Sequence, residues 1–309
     1  MDEPFSDKNI TTNEFRIRLI FLLTVYIPLD LVIIFGNAFV LLVIHRTPSL
    51  NEQQFTLLTS LALADLLTGI IGVPVAMWWC VTRRSLSTYL HNIDNDCALQ
   101  YIPMEILVST SFLHLVFITT DRYLSILKPL RYGQFVTQSR VYGAIAFSWI
   151  IGCGFGSVRL FWKREGFKEI LICHGKNEQG LAVQRYMAFI FIPTAVMSFI
   201  IMYFRIFMEA RKHRRTITAQ NTVGTQTNVL KKFKAAKTSA LIVCLFGIAY
   251  VPYLIKVIFF LFGFQESDLY WCDLMSEALL VMSSAVNPFI YVFRHRQFSS
   301  ALRRVHCGR

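Results

Sequence analysis

Charge is what this chain has least of. Asp, Glu, Lys and Arg make up 16% of its 309 residues, 54% are hydrophobic and the mean hydropathy is +0.48, whereas soluble domains carry about a quarter charged residues to cover a wetted surface. An ordinary soluble domain is excluded. The first fifteen residues are polar and hold no apolar core, so a cleavable signal peptide is not expected and the first apolar run has to act as its own insertion signal. There is no His-Glu-x-x-His or Gly-x-Ser-x-Gly motif, which argues against an intramembrane enzyme. No half of the chain repeats the other, and that argues against the usual plan of a secondary transporter. Seven cysteines make an odd number for a disulfide framework, and most fall in apolar runs where they behave as small hydrophobes.

What is present is a series of seven apolar stretches, about 18–44, 54–80, 98–127, 141–162, 183–208, 236–263 and 270–293. Each is near or above the roughly 20 residues that cross a bilayer, and backbone groups in lipid must bond within their own segment, so the stretches are expected to be helices. The organisation this predicts is an amino-terminal segment 1–17, a bundle 18–293 with a loop at 212–237, and an amphipathic helix and tail at 294–309.

The net charge of +12 is placed in alternate connections: His45-Arg46, Lys128, Arg131, Arg140, Arg211 to Arg215, Lys231 to Lys237 and Arg294-His295-Arg296. Basic loops stay in the cytoplasm, so the amino terminus is expected outside a plasma membrane, the carboxyl terminus inside, and nucleic acid is not a partner. Asn9-Ile10-Thr11 is a glycosylation sequon consistent with that orientation. Cys97 and Cys173 fall at the outer end of the third span and in the following outer loop, where an oxidising medium favours a bridge. Cys80 and Cys272 form a second outer pair, with pairing left open.

Several polar residues sit inside the spans. Asp65 lies at mid-membrane depth, where a charge is costly unless paired or hydrated. Asn37 reads as interhelical glue, and His114 as a satisfied interior residue rather than a metal ligand. Asp121-Arg122-Tyr123 closes the third span at its cytoplasmic margin, an arrangement in which Arg122 is either held by Asp121 or released toward a partner. Cys97 and Arg122 are 25 residues apart, roughly 37 Å of helix, so Met104, Glu105 and Val108 belong to the outer half.

Taken in order, Leu61-Ala62-Leu63-Ala64-Asp65, Asp121-Arg122-Tyr123, Trp149, Phe246 with Pro252, and Asn287-Pro288-Phe289-Ile290-Tyr291 resemble the landmarks of rhodopsin-like (class A) G-protein-coupled receptors. The resemblance implies an all-α membrane fold, a seven-helix bundle with a short amphipathic cytoplasmic eighth helix. It implies signalling from an extracellular ligand to a heterotrimeric G protein through Asp121, Arg122, Tyr123, Tyr203, Phe246, Pro252, Asn287, Pro288 and Tyr291. It also implies a sodium site at Asp65, Ser111, Ser283, Ser284 and Asn287, with Ser283 standing where Asn is usual; a polar network without a specific ion is the alternative.

Threonines between basic flanks at Thr216 to Thr227 suit a receptor kinase and then an arrestin-like protein, with a plain solvated linker as the alternative. Phe293 to Arg304 alternates apolar and basic residues as a helix lying on anionic membrane lipid does, and Cys307 beyond it is a palmitoylation candidate. Departures from the family pattern are Tyr250 and Ala249 in place of Trp and Cys, and Pro193 two residues before the usual proline position at Ala195.

The Tyr203-Phe204-Arg205-Ile206-Phe207 run and the residues around Asp121 are similar to adenosine receptors. The positions that hold adenosine there are Val257, Gly175 and Val281 here, and lost polar partners forfeit discrimination. An adenosine or nucleoside ligand is therefore the alternative reading. The residue matching the amine receptors' Asp is Met104. The candidate pocket comprises Met104, Glu105, Val108, Tyr250 and Glu277; the two carboxylates suit a cationic small molecule or basic peptide, unless they pair with Lys256 or Arg159. From another class, a cation transporter or channel would also place acids within the membrane.

Overall fold

A computed structural model of the chain describes residues 17, 19–47, 53–78, 98–161, 178–220, 244, 247–263 and 270–294, and every extended element among them is helical. The helices are α1 (Leu19–Arg46), α2 (Phe55–Trp78), α3 (Ala98–Leu127), α4 (Gln138–Phe161), α5 (Glu178–Gln220), α6 (Gly247–Leu261) and α7 (Tyr270–Arg294). Five of them, α1 to α5, are long and apolar enough to cross a membrane within the described residues. Their outward faces carry bare apolar side chains such as Phe35, Ile150, Ile190 and Phe204, the surface expected of a protein dissolved in lipid rather than water.

α3 runs through the middle, packed against α2, α4 and α5, while α7 packs on α1 and α2. Close approach depends on small residues, as it does when no hydrophobic force drives helices together in lipid. A Cβ on Gly152 of α4 would overlap the Thr110 hydroxyl of α3, and one on Gly156 would stand 2.5 Å from Ile106 Cγ1 and 2.9 Å from its backbone nitrogen. Gly36 of α1 likewise meets Pro288 of α7, with 2.9 Å between an added Cβ and Cγ. Asn37 secures the same junction: its amide donates to the Ile33 carbonyl within α1 at 3.0 Å and to the Ser284 carbonyl of α7 at 3.3 Å.

Among the described residues, two helices are interrupted by π-turns, at Leu22–Tyr26 in α1 and Thr68–Gly72 in α2. α5 contains Pro193 but no such turn, so the early proline is accommodated in continuous helix. α5 also extends to Gln220, beyond the expected boundary and into the segment 212–237 read from sequence as loop. Extending an existing helix adds a backbone bond per residue with no new nucleus to form, which lets a polar tail continue an apolar span. α6 ends at Gly263, whose φ of +87° is the left-handed conformation that glycine adopts without a Cβ penalty.

Candidate functional site

The arrangement has three polar stations strung along α3. The first is buried at mid-helix. Asp65 of α2 is fully buried; its Oδ1 accepts from Ser111 Oγ of α3 at 3.0 Å and from Ser284 Oγ of α7 at 2.8 Å, and its Oδ2 accepts from Asn287 Nδ2 at 2.8 Å. Three helices are thus tied through one carboxylate. Ser283, expected in the same group, instead donates to the Leu280 carbonyl at 2.6 Å. The serine lies one residue, about 100° of helix, away from Ser284, so its hydroxyl finds its own helix's backbone.

The second station is the helix end that carries Arg122. Arg122 Nη2 is 2.7 Å from Asp121 Oδ2, and Tyr132 Oη donates to Asp121 Oδ1 at 2.6 Å. Tyr132 belongs to a single helical turn, Tyr132–Phe135, fixed in place by Arg140 Nη1 donating to the Gln134 and Phe135 carbonyls at 2.7 and 3.0 Å. Asp121 is 5% exposed and Arg122 13%, so the pair is partly desolvated and stronger than a surface pair. Tyr203 of α5 reaches Thr119 Oγ1 at 3.5 Å, and with Tyr123 it packs against Ile126 and Ile206. No sequence pattern singles out Tyr132; its hold on Asp121 is set by a turn geometry that spacing does not reveal.

The third station lies toward the other end of α3. Glu105 accepts a hydrogen bond from Gln184 Nε2 of α5. Met104 faces another way, packing with Val73, Ala278 and Val281 and lying 3.2 Å from where a Cβ on Gly72 would stand. Val108 packs on the main core, and Tyr250 of α6 sits against Phe112 with ring centroids 5.2 Å apart. Glu277 is half-buried on α7 beside buried Ser276 and Ala278. Arg185, buried on α5 with its guanidinium 3.5 Å from the Phe260 ring centroid, was missed together with Gln184; two polar residues opening an apolar run were the available signal.

His114 is satisfied in the way expected of an interior residue. Nδ1 meets the Thr110 carbonyl at 2.8 Å and Nε2 meets Ser60 Oγ at 2.8 Å. A carbonyl can only accept, so in the neutral ring Nδ1 carries the proton and Ser60 donates to Nε2. Trp149 Nε1 donates to the same Ser60 oxygen at 3.1 Å, giving the tryptophan a polar link between α4 and α2 besides its packing.

Pro252 is half-buried in α6, and Pro288 is buried in α7. Tyr291 falls in α7 with its side chain outside the described residues, where Phe246, Cys97, Cys173, Asn9 and Cys307 also lie. The same holds for Cys80, the Cys272 and Arg159 side chains and the eighth helix.

Residues 36–291 match the family described as 7 transmembrane receptor (rhodopsin family). The chain belongs to that family. It is a multi-pass plasma-membrane receptor and not an enzyme, and the family implies a seven-helix bundle. The receptor is similar to the adenosine receptor A2a of Canis lupus familiaris, with 29% identity over 305 residues, 91% of this chain and 72% of that relative. It is also similar to the histamine H2 receptor of Cavia porcellus, 28% identical over 309 residues, 96% and 82% of the two chains. The adenosine receptor A3 of Bos taurus is 29% identical over 290 residues, 89% and 86%. The sequence reading of an adenosine-like class A scaffold agrees with these relatives.

Proposed function

We propose that the receptor binds a ligand carrying a basic group at the extracellular end of the bundle, near Glu105, and passes the event to a heterotrimeric G protein at Arg122. The carrying observation is the closed Arg122–Asp121 pair, itself held by Tyr132: a guanidinium locked at a helix end is a two-state element that a partner can bias. The basic residues His45, Arg46, Lys128, Arg131, Arg140, Arg211 and Lys212 are exposed, and the positive-inside rule puts them and Arg122 in the cytoplasm. An adenosine-type ligand is less well supported, because buried Val257 and Val281 offer no hydrogen bond.

The test is nucleotide exchange on a panel of G proteins by receptor in lipid nanodiscs, with amines, basic peptides and nucleosides as stimuli. Exchange on one G-protein class is expected. Glu105→Gln is expected to weaken a cationic agonist about ten- to a hundredfold, since a charge-assisted bond contributes about 1.5–3 kcal/mol. Unchanged potency in Glu105→Gln and in Glu277→Gln removes the cationic-ligand reading, and silence across the G-protein panel removes the coupling.

Sodium is proposed at Asp65. A carboxylate with the Ser111 and Ser284 hydroxyls is an oxygen set suited to a hard cation, and bound there the ion would supply positive charge to a buried anion. Replacing choline chloride by sodium chloride is expected to raise the melting temperature of the wild type and to leave Asp65→Asn unmoved. An equal rise in both proteins rejects the site.

A receptor kinase and an arrestin-like protein are proposed partners of the threonine-rich segment, where Thr216 and Thr218 fall in the α5 extension. Anionic lipid is proposed for the tail after α7, whose alternation of apolar and basic residues supports it.

A further inference from the structure

Asp30 is an acid inside a span with nothing beside it to offset its charge. Tyr26, Asp30, Ile33 and Asn37 recur along α1 at helical spacing, and Tyr26, Ile33 and Asn37 are buried against the bundle. Asp30 belongs to the same stripe and stands at the seam between α1 and α2. A Cβ on Gly69 of α2 would lie 3.2 Å from Asp30 Oδ1, 2.7 Å from Ile34 Cγ1 and 3.1 Å from Ile33 Cγ2, so the carboxylate has room there because residue 69 is glycine. Its Oδ1 is buried with no hydrogen-bond partner, and no ion pair reaches Asp30 among the described residues. Other acids within the spans are provided for: Asp65 accepts from Ser111, Ser284 and Asn287, and Glu105 accepts from Gln184. An intramembrane acid is costly and marks a site by default.

The depth of Asp30 says from where a partner comes. Arg46 lies 16 residues further along α1, roughly 24 Å, and the positive-inside rule places it at the cytoplasmic face. A hydrocarbon core of about 30 Å then sets Asp30 in the outer leaflet, roughly 6 Å below the polar margin. A lysine or arginine would snorkel across that gap, and the short aspartate side chain cannot. Asp30 is half-buried, so the carboxylate keeps a way out, and that way leads to lipid. Ile27, one turn earlier on α1, is 37% exposed, and Ile70, next to Gly69 on α2, is 53% exposed. Both helices leave regular geometry here, with π-turns at Leu22–Tyr26 ahead of Asp30 and at Thr68–Gly72 around Gly69, a deviation frequent at functional sites.

We propose that Asp30 and the α1–α2 seam form a lateral site for an amphiphilic amine, a protonated amine on a hydrocarbon chain that enters from the outer leaflet. Its ammonium pairs with the carboxylate, and its chain lies along Ile27 and Ile70. A soluble amine or a hydrated metal ion must shed its water to reach the same oxygens through lipid, whereas a lipid amine is already in the leaflet. The site is separate from the pocket near Glu105 and does not depend on it. Its occupant fastens α1 to α2 about two turns from the junction where Asn37 donates to the Ser284 carbonyl.

The test is thermal unfolding of the full-length receptor in phosphatidylcholine nanodiscs that contain hexadecylamine, hexadecanol or neither, with butylamine added to the water as a further arm. Hexadecylamine is expected to raise the melting temperature by several degrees more than hexadecanol or butylamine. Asp30→Asn keeps the shape without the charge, and is expected to raise the hexadecylamine needed for half of the shift about ten- to a hundredfold, the weight of a charge-assisted bond. Glu105→Gln is expected to leave that shift in place. In discs without amine, Asp30→Leu is expected to melt above the wild type, because an uncompensated charge has left the span; an acid that only held the fold together would give the opposite.

No shift from hexadecylamine, an equal shift from hexadecanol, or a shift that persists in Asp30→Asn overturns the site. A shift lost in Glu105→Gln and kept in Asp30→Asn moves the amine to the bundle pocket and also rejects it. Butylamine as effective as hexadecylamine rejects the lipid occupant. Asp30→Leu melting below the wild type in amine-free discs shows that Asp30 is already matched within the receptor, and the proposal falls.

Discussion

Receptor with Arg122 replaced by alanine is expected to bind ligand and to activate no G protein above the unstimulated rate. The guanidinium is held at 2.7 Å by Asp121 in the closed arrangement, and only a released guanidinium can be offered to a partner. The closed state loses the pair as well, leaving the 5% exposed Asp121 with the Tyr132 hydroxyl at 2.6 Å, so the variant is compared with wild type at equal ligand occupancy. The open state loses the guanidinium it would offer to the partner. A desolvated charged contact across an interface contributes about 2–5 kcal/mol, so the rate should fall by about thirtyfold to several thousandfold.

The converse change isolates the mechanism. Asp121→Asn preserves shape and an acceptor for Tyr132 but drops the charge that holds Arg122, so basal nucleotide exchange should rise. Exchange that persists undiminished in Arg122→Ala, or a basal rate unmoved by Asp121→Asn, would mean that the closed pair gates nothing.

The other large effect is on the fold itself. Gly156→Val is expected to abolish surface expression, because the new side chain meets the backbone of α3 as well as Ile106 Cγ1: 2.9 Å to the Ile106 nitrogen and 3.2 Å to the Ile102 oxygen from Cβ alone. α4 must then move off the central helix, carrying away the Trp149 to Ser60 link. Gly156→Ala should lower stability by about 1–3 kcal/mol, the usual cost of overpacking, read as a fall in melting temperature in detergent. Gly154, two residues earlier, has nothing within 4 Å of an added Cβ, so Gly154→Ala should be neutral or slightly stabilising through higher helix propensity. Equal melting temperatures for the two alanine variants would show that the close approach of α3 and α4 is not a constraint.

Much of this receptor was legible without coordinates. The membrane supplies no water to satisfy backbone groups, so a run of apolar residues has helix as its only outcome; this is why the spans emerged from composition and why Asp65 and Arg122 stood out. The Asp65 cluster with Ser111, Ser284 and Asn287 came from a family resemblance, and those three side chains do converge on it. Ser283 did not follow, because a hydroxyl chooses the nearest acceptor and its own helix offered one in the Leu280 carbonyl. The boundary at 212 was drawn where hydropathy drops, yet α5 continues to Gln220: hydropathy measures affinity for lipid, and a helix does not need lipid to continue.

By itself, then, the sequence determined that the chain lives in a bilayer, how many times it is expected to cross and which polar residues are too costly there to be idle, since each of these follows from transfer of a segment out of water. The tertiary structure alone decided which residues meet. That Tyr132 secures Asp121, that Gly152 and Gly156 let two helices touch, and that Arg185 rests on Phe260 depend on the rotation and depth of one helix against another. Those are set by packing between residues far apart in the chain, and no local pattern encodes them.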